Sequence, residues 1–268
     1  MSLDLHDLLR NHVKELMARD GVVASMTVRL VRTPEIAFLA KAAGFDTLYV
    51  DMKHNNFSLE STSQICMAAL TVGVTPLVRL ASNNPDEISR VLDAGALGVI
   101  APQVRSADDV RRVVTAAKFP PQGERSVNSN VPQLRYQSFP QDGTTTKALN
   151  DATLIAINLE TKEALESVED IAEVEGLDLI VIGTNDLMAE LGIPGQHDHA
   201  LVRQAYSRTI SACRNAGKYV GVGGLSTRPD LVTEFVRMGA RYVSTGYDLA
   251  FLLGALTERA RRVKEIVL

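Results

Sequence analysis

The chain has 268 residues, 46% of them hydrophobic and 22% charged, with 28 basic against 32 acidic side chains and a net charge of −4. That length and apolar content suffice for one large domain with its own core, and they argue against disorder. A slightly acidic chain without a Lys/Arg cluster offers no footprint for nucleic acid, and no apolar run approaches the ~20 residues of a membrane span.

The first twenty residues, MSLDLHDLLRNHVKELMARD, read as an amphipathic helix that carries acids. They lack the apolar stretch of a secretory signal and the acid-poor character of a transit peptide, so a cytoplasmic protein is expected. From Gly21 onward one grammar recurs: a helical stretch ends in Gly, and an apolar β-type run follows. The instances are Gly21 before VVASMTV, Gly44 before FDTLYVD, Gly73 before VTPLVRL and Gly95 before ALGVIAP. Gly176 before LDLIVIG, Gly217 before KYVGVG and Gly239 before ARYVSTG continue it. Gly suits the position just past a helix end because it enters the left-handed region without steric cost. The run TLIAINLE near 153–160 follows a polar stretch instead and completes eight candidate strands.

Between the strands lie amphipathic stretches at roughly 33–43, 58–72, 85–94, 106–118, 161–175, 198–216, 227–238 and 247–265. Ser58, Ser106 and Thr227 precede three of them as cap signals, with acids in the turn that follows. Cys66 and Cys213 stand alone in two of these helices, in no metal or disulfide spacing, which fits a reducing compartment. The strands are Val/Ile/Leu-rich without clean alternation, as strands buried on both faces are. Eight strand–helix units predict an α/β fold, a (β/α)8 TIM barrel, forming a single domain over 1–268 with the leading helix of 1–20 across its floor. An open doubly wound sheet is the rival, disfavoured because no G-x-G-x-x-G follows the first strand. Residues 119–150 break the rhythm and read as a long loop after the fourth helix, wrapping a neighbouring subunit or carrying small helices.

In such barrels chemistry sits at the carboxyl ends of the strands. Polar residues there are Asp51, Lys53 and His54 after strand two, and Arg79 ending strand three. Pro102 and Gln103 end strand four, Asn158 and Glu160 strand five, and Gly183-Thr184-Asn185-Asp186 follows strand six. The glycines that end strands seven and eight read either as tight turns or as a phosphate site. Ala156, Asn158 and Glu160 share one face of their strand, by its period of two. Glu160 and Asp186, at neighbouring strand ends without Cys, suit a hard divalent cation such as Mg2+ or Mn2+. Equally, each could cap the helix that follows. Arg79 reads as a carboxylate or phosphate clamp, or as half of a salt bridge. His54 is the one histidine predicted at the mouth. Asp93, in the last turn of the third helix, is either a tolerated surface acid or the orienter of a partner elsewhere.

Taken together, GFDTLYVDMKH, VTPLVRL, LDAGALGVIAPQVRSADDVRRVV, PPQGERSV, INLETKEAL and LDLIVIGTNDLMAELG resemble the HpcH/HpaI class II aldolases, in order from about residue 34 to 250. The resemblance implies a (β/α)8 pyruvate aldolase that depends on a divalent metal (Mg2+, Mn2+ or Co2+). It would cleave 4-hydroxy-2-oxo acids to pyruvate, or a related 2-oxo acid, and an aldehyde. It implies Glu160 and Asp186 as metal ligands, Arg79 as enolate stabiliser, His54 as general base and Asp93 as the acid that raises its basicity. Asn158, where many relatives carry Gln, would lie near the keto acid, and the Asn185 and Asp186 amides would receive its carboxylate. A homo-oligomer, trimer or hexamer, is implied as well. One departure stands out: the family's Asp-x-Glu-His reads Asp51-Met52-Lys53-His54 here. A cation beside the base disfavours protonated His54 and favours an anionic substrate. Remaining alternatives are a Schiff-base aldolase using Lys53, an acyl-CoA lyase relative, a phosphate-binding isomerase and an inactive keto-acid-binding barrel.

Overall fold

The computed structural model describes residues 5–128, 130–140 and 142–266; the outermost ends of the expected domain, the first four residues of the expected leading helix among them, lie outside these. Eight strands form a closed barrel in sequence order. They are β1 Val23–Val28, β2 Thr47–Asp51, β3 Thr75–Arg79, β4 Gly98–Ala101, β5 Leu154–Leu159, β6 Leu179–Gly183, β7 Tyr219–Gly223 and β8 Tyr242–Tyr247. Each strand pairs in parallel with the next, and β8 pairs with β1 to close the ring.

Strand periodicity divides the core in two. In β5, Leu154 and Ala156 belong to the cluster inside the barrel, with Val23, Tyr49, Leu77, Ile100, Leu179, Val181 and Tyr242. The alternate residues Ile155, Ile157 and Leu159 pack outward into the layer beneath the helices. Continuing the inward face by twos brings Asn158 and Glu160 to the mouth.

The floor is closed by the chain's beginning. Two short helices, Leu5–Leu8 and His12–Ala18, replace the single expected helix, because Asn11 caps the second by accepting from Lys14 N–H. The Asn11 amide also donates to the carbonyls of Leu97 and Ala152 (3.3 and 2.8 Å), fastening the helix below the barrel. Val13 and Met17 then plug the interior cluster, a burial that contributes about 1.5–3 kcal/mol for each side chain.

The 119–150 stretch is more ordered than a loop. It holds a 3-10 turn, Pro132–Leu134, and a helix, Thr144–Ala152, so its last seven residues are helical. Phe119, Val131, Leu134 and Leu149 form an apolar cluster with Leu9 and Leu97 on the floor side. Buried Lys118 ties both ends, donating to the carbonyls of Asn150 and Thr153 (2.5 and 2.7 Å). Burial pushes its ammonium pKa down to about 8. The stretch expected as one helix over 161–175 is two, Lys162–Glu166 and Val168–Ala172, broken at Ser167. Cys66 and Cys213 are free and buried, and burial pushes both thiols up to about 12, leaving them inert.

The last helix, Asp248–Lys264, differs from its neighbours: only Asp248 of its seventeen residues is buried. Leu249, Leu252, Leu253 and Leu256 are exposed at the i, i+3, i+4, i+7 spacing of a single apolar stripe. Among the described residues no helix is long and apolar enough to cross a membrane.

Candidate active site

A cavity of about 350 Å³ opens at the carboxyl ends of the strands, lined by His54, Arg79, Asn158, Glu160, Asn185 and Asp186, with Arg29 and Ser244 across from them. A larger recess of about 640 Å³ lies on the outer surface, between helices Pro85–Asp93 and Ala107–Ala117. It lacks the convergence of a buried guanidinium with carboxylates, so chemistry rather than size singles out the mouth.

Asp51, the last residue of β2, is completely buried. Arg79, its register partner on β3, donates to it twice, Nε to Oδ1 at 2.9 Å and Nη2 to Oδ2 at 2.5 Å. Arg29 Nε reaches the same Oδ2 at 2.9 Å. Burial alone would push this carboxyl up; Arg79 and Arg29 outweigh it and hold the group below the ordinary carboxylate range. The consequence is a rigid Arg79 whose Nη1 has no hydrogen-bond partner among the described residues and borders the cavity.

Glu160 is nearly buried, and its two oxygens differ. Oε1 accepts from Lys53 Nζ (2.8 Å) and from the Gln103 backbone N–H (2.7 Å). Gln103 takes a left-handed backbone, φ 51°, to present that N–H, a conformation costly for a residue with a side chain. Oε2 has one long donor, Asn158 Nδ2 at 3.4 Å. A Cβ at Gly183 would stand 3.3 Å from Oε2, so glycine keeps that oxygen open to the cavity. Glu160 caps no helix: Thr161 does, accepting from Ala164 N–H.

Asn185 and Asp186 open the helix Thr184–Glu190, a helix absent from the stretches expected from the sequence; Asp186 lies in its first turn and is not its cap residue. Their backbone N–H groups fall in the first helical turn, where the helix itself supplies no carbonyl partner. Gly224 has φ +77°, and a Cβ there would stand 3.0 Å from Asn185 Nδ2, so this wall also needs glycine. His54 lies in the bend after β2. Partial burial and the cations Arg79, Lys53 and Arg29 push its imidazole below the ordinary histidine value, with Asp51 pulling the other way.

Asp93 does not join them within the chain. It ends helix Pro85–Asp93, and a helix antiparallel to the strands has its last turn at the floor, whereas His54 is at the mouth. The Asp93 carboxylate pairs instead with Arg125 of the long segment, whose buried guanidinium lies over the Phe119 ring. Two residues of the mouth went unassigned in the sequence. Asp51 was noted there, but its double pairing needs three dimensions to see. Arg29, just past the VVASMTV run, was the available signal at the end of β1.

The divalent cation that the resemblance implies can be tested against these donors. Among the described residues no three His, Cys, Asp or Glu side chains gather into a metal cluster. Glu160 Oε2 and the Asp186 carboxylate are what the cavity provides. Both are hard oxygens open to it, and neither is closed off by strong hydrogen bonds. Two carboxylates with room for water and a chelating substrate fit an ion of the Mg2+ type.

Comparison with known proteins bears on the family. The family model for HpcH/HpaI aldolase/citrate lyase matches residues 25–255. A 4-hydroxy-4-methyl-2-oxoglutarate aldolase of Chaetomium globosum is 32% identical over 259 residues, 96% of each chain. A 2-keto-3-deoxy-L-rhamnonate aldolase of Escherichia coli is 30% identical over 97% of this chain and 96% of its own. The crystal structure of an HpcH/HpaI aldolase from Desulfitobacterium hafniense superposes with a TM-score of 0.90 at 27% identity, covering 96% of this chain and 98% of that one. The chain therefore belongs to the HpcH/HpaI aldolase/citrate lyase family and is a lyase.

Proposed function

We propose that the protein is a class II aldolase that cleaves and forms 4-hydroxy-2-oxo acids, with pyruvate or a related 2-oxo acid and an aldehyde as the other side of the reaction. The observation that carries this is the meeting of Glu160, Asp186, Arg79 and His54 on one cavity at the strand ends. Glu160 and Asp186 would hold a divalent cation, Mg2+, Mn2+ or Co2+, which when bound supplies Lewis acidity at the 2-oxo group. The first-turn N–H groups of Asn185 and Asp186 suit the substrate carboxylate.

The chain's own residues supply the rest. His54, kept neutral by its surroundings, takes the proton of the 4-hydroxyl directly or through a water. The C3–C4 bond breaks, C4 becomes the aldehyde carbonyl, and the electron pair moves into an enolate. Arg79 Nη1 provides a fixed positive charge where that negative charge develops. Protonation at C3 completes the 2-oxo acid. Asp51 holds Arg79 in place and touches no substrate. Lys53 suits a Schiff base less well, because its Nζ is directed at the Glu160 carboxylate. Asp93 has no part in this scheme within a single chain.

We also propose a cytoplasmic homo-oligomer. The leucine stripe on helix Asp248–Lys264 supports association, since an apolar row of this length, unmatched by its own barrel, suits a second copy of the chain.

The test is Glu160→Gln and Asp186→Asn, each assayed for retro-aldol turnover with Mn2+ and for Mn2+ binding by calorimetry. Both properties should be lost while the circular dichroism spectrum stays that of the native fold. Full turnover by both variants in metal-free buffer would overturn the reading.

A further inference from the structure

The wall of the cavity opposite Glu160 has no role in the scheme above, and it is built with care. β1 lies four strands from β5 in either direction around the ring, so Arg29, the first residue past β1, faces the Glu160 side across the mouth. Three contacts hold it. Buried Asp248 accepts the successive backbone N–H groups of Arg29, Leu30 and Val31 at 2.8–3.1 Å, which fixes the loop. The Tyr247 ring lies under the guanidinium, 4.8 Å from Cζ to centroid. Asp51 Oδ2 accepts Nε at 2.9 Å.

What is left free is the fork. Nη1 and Nη2 have no hydrogen-bond partner among the described residues, and the side chain is 31% exposed. A guanidinium fixed at its Nε edge and along one face, with both terminal nitrogens unpaired, is preorganised for a planar anion. It stands beside Arg79, with which it shares Asp51 Oδ2, so an anion on its fork lies next to the enolate that Arg79 would stabilise and across the ring from β5 and Glu160.

We infer that Arg29 binds a carboxylate on the acceptor half of the substrate, so that the carbonyl compound joined to the enolate is itself an acid and the cleaved compound is a 4-hydroxy-2-oxo diacid. This rests on the aldolase reading and narrows it. In synthesis, C3 of the enolate bonds to the acceptor's carbonyl carbon and that carbonyl oxygen takes up the proton. Arg29 takes no part in the proton or electron transfer. It holds the far carboxylate so that the carbonyl carbon meets C3.

The experiment compares two acceptors of similar size, glyoxylate (anionic) and acetaldehyde (neutral), with pyruvate and Mn2+. The wild type should favour glyoxylate in kcat/KM. The glyoxylate-to-acetaldehyde ratio should fall about 10- to 100-fold in Arg29→Gln, the scale of losing a charge-assisted pair. In Arg29→Lys, which keeps the charge but not the fork, it should fall to an intermediate value. Should Arg29→Gln fail to fold, Arg29→Lys decides: a lowered ratio supports the inference and an unchanged ratio overturns it. An unchanged ratio in folded Arg29→Gln, or a wild type indifferent to acceptor charge, also overturns it. Deuterium exchange at C3 of pyruvate, with wild type and no acceptor, reports enolate formation alone. Its absence would overturn the aldolase reading and this inference with it, whereas exchange with an unmoved ratio sinks the Arg29 role only.

Discussion

Lys53 Nζ lies 2.8 Å from Glu160 Oε1, on the same carboxylate whose other oxygen faces the cavity. One cation of the chain thus already neutralises part of the charge that a divalent ion would use, in a setting of reduced dielectric where such charge counts. Lys53→Met should therefore bind Mn2+ more tightly, by about three- to tenfold, as measured by calorimetry at neutral pH. Unchanged or weaker binding would show that the ammonium orients Glu160 for the metal rather than competing with it.

The pH profile follows from His54. Its pKa is lowered by partial burial first and Arg79 next, with Lys53 and Arg29 contributing. A general base works when neutral, so kcat/KM is lost as pH falls through this lowered pKa. The acid limb should then lie below the ordinary histidine value of about 6.5. Removing a neighbouring cation in Lys53→Met should move that limb to higher pH. His54→Asn should lower kcat/KM by about 10²–10⁴-fold, the usual contribution of a positioned base. Steady-state rates across pH 5–8, about the span in which histidine titrates, check both expectations.

Asp51→Asn tests the buried centre of the mouth. It leaves two guanidiniums without their shared carboxylate and should cost about 3–5 kcal/mol in chemical denaturation. The sign with pH is definite. A carboxyl held below its unfolded value stabilises the fold above that value, and this contribution is lost as pH falls through the folded pKa. The stability of the wild type should thus drop more steeply than that of Asp51→Asn below about pH 4.

The leucine stripe predicts association. The wild type should sediment as a multiple of its 29.1 kDa chain. The double substitution Leu252→Ser, Leu256→Ser should shift it towards the monomer, as read by analytical ultracentrifugation. A monomeric wild type would show the stripe to be uncovered in solution.

The barrel was legible because it is written in local terms. Glycine stops before apolar runs mark seven of the eight units, and the period of two in TLIAINLE, the eighth, carries Glu160 to the mouth without any tertiary information. Asn158, Glu160, Asn185, Asp186, Arg79 and His54 fall on one cavity for the same reason, each standing at the carboxyl end of a strand. What escaped depends on contacts between distant segments. That Asp51 holds two arginines, and that Lys53 reaches from β2 to Glu160 past β5, are not properties of any window of sequence. The Asp93–Arg125 pair escaped because it joins the third helix to the long segment after the fourth, again a contact between distant segments. The helix Thr144–Ala152 was hidden by the polar, Pro- and Gly-bearing stretch before it, and tertiary packing of Leu149 and Ala152 stabilises it.

Asp248 links the loop after the first strand to the residue that follows the last. During synthesis the amino-terminal strands leave the ribosome first, but of the three contacts that hold Arg29 only the one to Asp51 can then form. Only when residues 247 and 248 emerge and dock does that side of the mouth acquire its shape. A chain that stops short of them is left with that wall unset, so the docking of the last helix's first residue and the shaping of the Arg29 loop are one event.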